Sequence, residues 1–192
     1  MDGLTAVFSA FGLSASAGLN AYIPLLVISL LARFTDLIKL EAPWDTLTSW
    51  WIIALLIVLS SIEFFADKVP AVNHINDVIQ TFVRPIAGAI VFAASAKVIT
   101  DVHPVLSLAA GLLIAGGVHA VKAAAVRPAV TATTGGAGNV PVSVAEDVLS
   151  TILAIMAILI PVILTAIIII LTALIVWLIW RRMNRTRVKQ PA

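Results

Sequence analysis

The sequence contains no cysteine. That excludes a disulfide framework, thiolate metal ligands and a thiol nucleophile. Charge is scarce too: Asp, Glu, Lys and Arg make up 11% of the residues, against about 25% in soluble domains. The net charge is only +2, and Arg181, Arg182, Arg185, Arg187 and Lys189 crowd the end of the chain. Such a cluster is a terminal tag, so no nucleic-acid face is expected. What is abundant is apolar: 61% of 192 residues. A soluble core of this size cannot hide so much apolar surface, so the chain reads as an integral membrane protein whose main partner is the lipid bilayer.

A helix needs about 20 mostly apolar residues to cross about 30 Å of hydrocarbon. Five stretches qualify: 4–34, 47–66, 85–100, 105–125 and 148–180. The expected fold is all-α, a polytopic transmembrane helical bundle of about five spans. A single domain would cover 1–180, followed by a basic cytoplasmic tail, 181–192. The apolar start before Ser14-Ala15-Ser16-Ala17 has the look of a signal peptide, but no Lys or Arg precedes it, so a mature first helix is preferred. The last stretch has 33 residues, about 50 Å as a helix, and holds no polar turn. One long helix, tilted or kinked at Pro161, is expected. The basic end of the chain puts the C-terminus in the cytoplasm. Counting back through five spans places Arg33, Lys39 and Lys97 there too and the N-terminus outside. Lys68, Arg84, Lys122 and Arg127 then fall on the outer side, against the usual bias.

Those four lie in or beside two polar segments, 67–84 and 126–147, which share a pattern. Val69-Pro70 followed by Asn76-Asp77-Val78-Ile79-Gln80-Thr81 is echoed by Val140-Pro141 followed by Glu146-Asp147-Val148-Leu149-Ser150-Thr151. Ala17-Gly18-Leu19-Asn20-Ala21 is echoed by Gly116-Gly117-Val118-His119-Ala120. The order suggests a diverged internal repeat. Two spans separate Asp77 from Asp147, so both face one side, which argues against an inverted repeat. Many transporters are built from repeats with broken helices around a central site. Asn20 beside Gly18 and Pro24, and His119 beside Gly116-Gly117, mark candidate breaks. Backbone freed there survives only against protein or a cavity.

The candidate substrate-binding residues are Asn20, Tyr22, Glu63, His119 and Lys122. A gating or structural polar cluster comprises Asp67, Lys68, His74, Asp77, Arg84, Arg127, Glu146 and Asp147. The competing reading is a set of structural ion pairs and helix caps, since ionisable groups near hydrocarbon must be paired or hydrated. Asp77 and Asp147 sit where a helix dipole favours an acid. His74 and Asp77, three apart, are too little for a metal site, and no metal or cofactor is expected. Gly135-Gly136-Ala137-Gly138 lacks the Lys-Ser/Thr of a phosphate loop and reads as a turn. Gly12, Ser14, Ser16 and Gly18 form a small-residue stripe suited to close helix packing. Ser60 and Ser61 beside Glu63 form no hydrolase arrangement, and no enzyme activity is expected.

Several of these motifs occur together in a known family. Ala17-Gly-Leu-Asn-Ala-Tyr22, Glu63-Phe-Phe-Ala-Asp-Lys-Val-Pro70, Asp77 with Thr81-Phe-Val-Arg-Pro85, and Ser143-Val-Ala-Glu-Asp-Val148 resemble a bacterial family of small multi-pass membrane proteins. It is catalogued as a domain of unknown function, numbered four thousand one hundred and twenty-six. The resemblance runs from about Ser14 to the fifth span. Where relatives carry a Ser-Pro-Glu-Pro-like stretch before Glu146, this chain has Thr133-Thr-Gly-Gly-Ala-Gly-Asn139. The resemblance implies a multi-pass protein of the bacterial inner membrane and brings no established activity. With the matched charges, the expectation is a small transporter or channel-like protein for a small polar solute or lipid headgroup, with a homodimer allowed by its small-residue stripes. The alternative is a non-transporting scaffold or accessory subunit whose buried charges hold the bundle together.

Overall fold

The structure is a computed structural model that describes residues 3–96 and 103–187. Lys97 and the side chain of His74 lie outside the described residues. Helices run in the order α1 (Gly3–Leu19), α2 (Tyr22–Phe34), α3 (Trp50–Ala66), α4 (Pro70–Ala96), α5 (Pro104–Val121), α6 (Arg127–Thr134) and α7 (Asn139–Arg187). A 3-10 turn (Trp44–Thr48) precedes α3, and a π turn (Lys122–Val126) joins α5 to α6. The described residues include no strand. Three segments, Ile75–Ser95, Pro104–Thr134 and Asn139–Ile160, are long and apolar enough to cross a membrane. Ala6–Leu19, Tyr22–Phe34 and Trp50–Ala66 are apolar but shorter.

The stretch 4–34, expected as one span, is two helices. Asn20 makes the break. Its N–H donates to Ser16 O at 3.1 Å, closing α1. Its Oδ1 accepts from the N–H groups of Tyr22 (3.1 Å) and Ile23 (3.0 Å), the bonds of an N-cap on the free donors of α2. The chain reverses there. Ala6 and Ser9 of α1 share a cavity wall with residues 36–39, just beyond α2, and with Ser95 at the end of α4. The start of α1 and the end of α2 therefore lie at one end of the bundle, and the two helices form a hairpin. This corrects the expected N-terminus: α1 begins at the same end as Arg33 and Lys39. An apolar run carries no sign of its direction, so one crossing and a hairpin read alike.

From that end α3 rises, tied down by Arg33 Nη1 donating to Thr48 O at 2.6 Å and by Arg33 over the Trp50 ring at 4.2 Å. Helix α4 descends, α5 ascends and α7 descends. Asp77 and Asp147 thus both sit near the upper end, as the even span count requires.

The segment 67–84 is mostly helix, because α4 begins at Pro70 and not at Pro85. Pro85 sits inside it, leaving Thr81 C=O without its intrahelical donor. The polarity of this segment has a structural cause. Asn76, Gln80 and Arg84 recur every four residues and are buried, whereas Val72, Ile75, Val78, Ile79, Phe82 and Ile86 are exposed. The helix turns its polar face inward, so its polarity marks a packed stripe and not a loop. Helix α7 repeats this, with Ser143, Glu146, Asp147 and Ser150 inside and Val144, Val148 and Ile152 outside. It begins at Asn139, after a turn in which Gly135 and Gly136 take positive φ of 61° and 92°, where a side chain would be strained.

Small residues let α1, α4, α5 and α7 pack closely. Ser14 Oγ lies 3.1 Å from Gly88 O and 2.9 Å from Gly111 O, joining three helices. Ser16 Oγ donates to Ser150 O at 2.8 Å. A Cβ at Gly12 would sit 2.6 Å from Ala157 Cβ, and one at Gly18 2.6 Å from Ala115 O. The stripe on α1 is thus a packing surface on two sides. The break expected at Gly116-Gly117 is absent. Helix α5 is regular through Val121, and a Cβ on Gly117 would meet nothing within 4 Å. Like Gly12 and Gly18, Gly88 and Gly111 are required by close approach: their added Cβ atoms would collide with Ala115 Cβ and Gly88 O. Gly88→Ala and Gly111→Ala should each cost about 1–3 kcal/mol by overpacking. Gly117→Ala should be neutral or slightly stabilising. Thermal unfolding of the three variants in one detergent checks the ranking.

Candidate functional site

The polar stripes of α3, α4, α5 and α7 converge at the upper end. Arg84 is at the centre, its side chain fully buried. Its Nη2 and Nε donate to Glu63 Oε1 at 2.9 and 3.3 Å. Nη2 lies 3.6 Å from Asp67 Oδ2, and Nη1 meets His119 Nδ1 at 3.2 Å. Asp67 also accepts from Asn76 Nδ2 at 2.6 Å and Ser143 Oγ at 3.4 Å. Its Oδ2 is 3.6 Å from Arg127. Glu146 Oε2 takes both Arg127 Nη2 at 3.1 Å and Lys122 Nζ at 2.8 Å. Asp147 is held by Asn20 Nδ2 at 2.9 Å and by Lys68 at 3.3 Å. Four carboxylates thus face four cations. The set is neutral, as buried ions must be if they are to stay charged.

The His119 tautomer follows from its partners. A guanidinium only donates, so Nδ1 accepts from Arg84 Nη1. Thr81 Oγ1 gives its proton to Asp77 O at 2.8 Å. It therefore accepts at 3.2 Å from His119 Nε2–H. The ring is neutral and orients Arg84 without adding charge.

Local structure explains the convergence on Glu146. Lys122 and Arg127 are five residues apart, which on an α-helix at 3.6 per turn would separate them by about 140°. The π turn closes an i→i+5 bond from Arg127 N to Lys122 O and stacks the two side chains over one another. Pro128 supplies the reason: it has no N–H, and its ring would press on the carbonyl four residues back, so the turn widens.

Near Arg84, two buried oxygens, Glu63 Oε2 and Gln80 Oε1, stay without a hydrogen-bond partner among the described residues; a third, Ser9 Oγ, lies on α1 toward the lower end. Half-buried Tyr22 lies close to the Gln80 side chain, Glu63 and Arg84. Of the expected substrate residues, Tyr22, Glu63 and His119 gather around Arg84. Asn20 and Lys122 instead attach α1 to α7 and its acids, Lys122 Nζ donating to Leu19 O at 3.2 Å. Arg84, expected at the periphery, is the hub. Asp77 makes no ion pair among the described residues and contributes its carbonyl. Asn76, Gln80 and Ser143 were not anticipated; the four-residue spacing of Asn76, Gln80 and Arg84 was the available signal. Among the described residues, no three acidic or histidine side chains group as metal ligands.

A family model described as a domain of unknown function, DUF4126, matches residues 7–181. A match of that extent places the chain in the family. No curated protein and no solved structure matches it.

Neutrality makes a prediction. Arg84→Met leaves buried carboxylates short of a partner and should cost about 3–5 kcal/mol. Adding Glu63→Gln restores the balance and should recover more than half of that loss. Unfolding midpoints of the single and double variants in detergent measure it; a double variant no better than Arg84→Met would refute a charge-balance origin.

Proposed function

We propose, on the premise that the chain belongs to the DUF4126 family, that it is a small membrane transporter or channel-like protein for a polar solute or headgroup rich in N–H donors. The observation that carries this reading is the pair of unpartnered acceptors, Glu63 Oε2 and Gln80 Oε1, beside Tyr22. A buried acceptor without a donor costs about 1–3 kcal/mol. A ligand that brings two N–H groups would remove that penalty. Nearby, the α1–α2 reversal at Asn20 supplies a joint between helices that could shift. His119 and Arg84 position Glu63, and Asn20 and Lys122 tie the joint to α7.

The second reading is a scaffold or accessory subunit. It is favoured by how dry the centre is: Arg84 and Glu63 side chains have 0% exposure. The two readings separate in proteoliposomes loaded with a panel of small amines, amides, amino acids and polyols. Transport predicts flux of at least one donor-rich solute. Glu63→Gln keeps the acceptor for Arg84 and replaces Oε2 by a donor, so it should abolish flux in a folded protein, with Tyr22→Phe reducing it. No flux for any solute, with Glu63→Gln unfolding the chain, supports the scaffold.

The same proposal places the lower end, with Arg33, Lys39 and the basic end of α7, on the cytoplasmic side of a bacterial inner membrane. The cysteine-free chain permits a direct check. In intact cells an impermeant maleimide should label Ala132→Cys, on α6, and spare Asp45→Cys, in the 3-10 turn. The opposite pattern would invert the orientation.

A further inference from the structure

Helices α5 and α7 both lean on α1 but scarcely meet each other. Between them lies a groove of about 510 Å³, bounded by Leu19, Gly117, Val118, Val121, Val142 and Leu149. That volume is within the range of small-molecule sites, about 300–1,000 Å³. The walls are apolar. At the end nearest the π turn, Lys122 and Glu146 also line the groove. Both are buried, with side-chain exposures of 4% and 10%.

Their valences are incompletely used. A lysine ammonium has three donors. Lys122 gives one to Glu146 Oε2 and one to Leu19 O. Glu146 receives both of its cations on Oε2, and its Oε1 has no hydrogen-bond partner among the described residues. One cationic donor and one anionic acceptor, side by side at the head of an apolar trough, match a ligand with the reverse polarity on an apolar tail. The acceptor would meet an N–H-bearing cation, the donor a phosphate oxygen.

We propose that this groove binds one membrane phospholipid with a primary-amine headgroup, its acyl chain along Val118, Val121 and Leu149, its phosphate on Lys122 and its ammonium on Glu146. The site uses none of Tyr22, Glu63 or Gln80, so it stands whether or not the transport reading does. Gly117 keeps the trough open, since a side chain there would enter unoccupied space.

Native mass spectrometry of the purified chain, titrated with phosphatidylethanolamine, phosphatidylcholine or phosphatidylglycerol, tests it. Phosphatidylcholine has no N–H to donate, and phosphatidylglycerol has no cation. Phosphatidylethanolamine should bind roughly tenfold more tightly than either, as expected for one charge-assisted hydrogen bond. Glu146→Gln should erase the preference. Gly117→Leu fills the groove without touching either charge and should erase the bound lipid in a protein of unchanged thermal midpoint. Equal binding of the three lipids overturns the proposal. So does retention of phosphatidylethanolamine by Gly117→Leu, or a lipid-free dimer that Gly117→Leu dissociates.

Discussion

A guanidinium sealed from solvent sets the terms for this fold. Arg84 has no exposed side-chain surface, and leaving such a charge uncompensated would cost several kcal/mol. Everything that approaches it is an answer to that cost. Glu63 and Asp67 come from one face of α3 and its end, His119 comes from α5 as a neutral acceptor, and Arg127 reaches Asp67 from α6. Because these groups come from distant parts of the chain, the network ties α3, α4, α5 and α6 together. The small residues of α1 then let the helices come close enough for those short bonds to form.

This arrangement inverts the usual amphipathic pattern. In a soluble helix the polar stripe meets water and the apolar stripe meets the core. In α4 and α7 the polar stripe meets protein and the apolar residues face outward, which suits a lipid surround in which polar groups must find partners within the protein.

That inversion also decides what could be read in the sequence. The helical architecture, with segments long and apolar enough to cross a membrane, and the family were legible, because they depend on composition and on motifs such as Glu63 to Pro70. The polar residues at the upper end were legible as a set, since charges in an apolar chain stand out. The start of α4 was not, because Asn76, Gln80 and Arg84 raise local polarity as a loop does, and only their spacing of four distinguishes the cases. The reversal at Asn20 was hidden because hydropathy has no direction. The π turn was equally hidden: its clues are Pro128 and the five-residue interval from Lys122 to Arg127. Gly116-Gly117 misled because glycine marks either close packing or empty space, and here Gly117 borders a groove.

With Trp177 at a membrane boundary, the length of α7 would set the depth of the ionic network. Trp177 carries the Arg181 guanidinium at 5.2 Å from its ring centre, a pairing suited to a membrane–water boundary. From there to Asp147 is 30 residues of one continuous helix, about 45 Å. Even at a tilt of about 40°, the steep end of the observed range, the vertical span is still roughly 34 Å, more than the hydrocarbon thickness of about 30 Å. With the tryptophan at one boundary, Asp147 therefore rises to or past the other. The ions would then ride at the waterline, among phosphates and their counter-ions, with almost no hydrocarbon between them and water on that side.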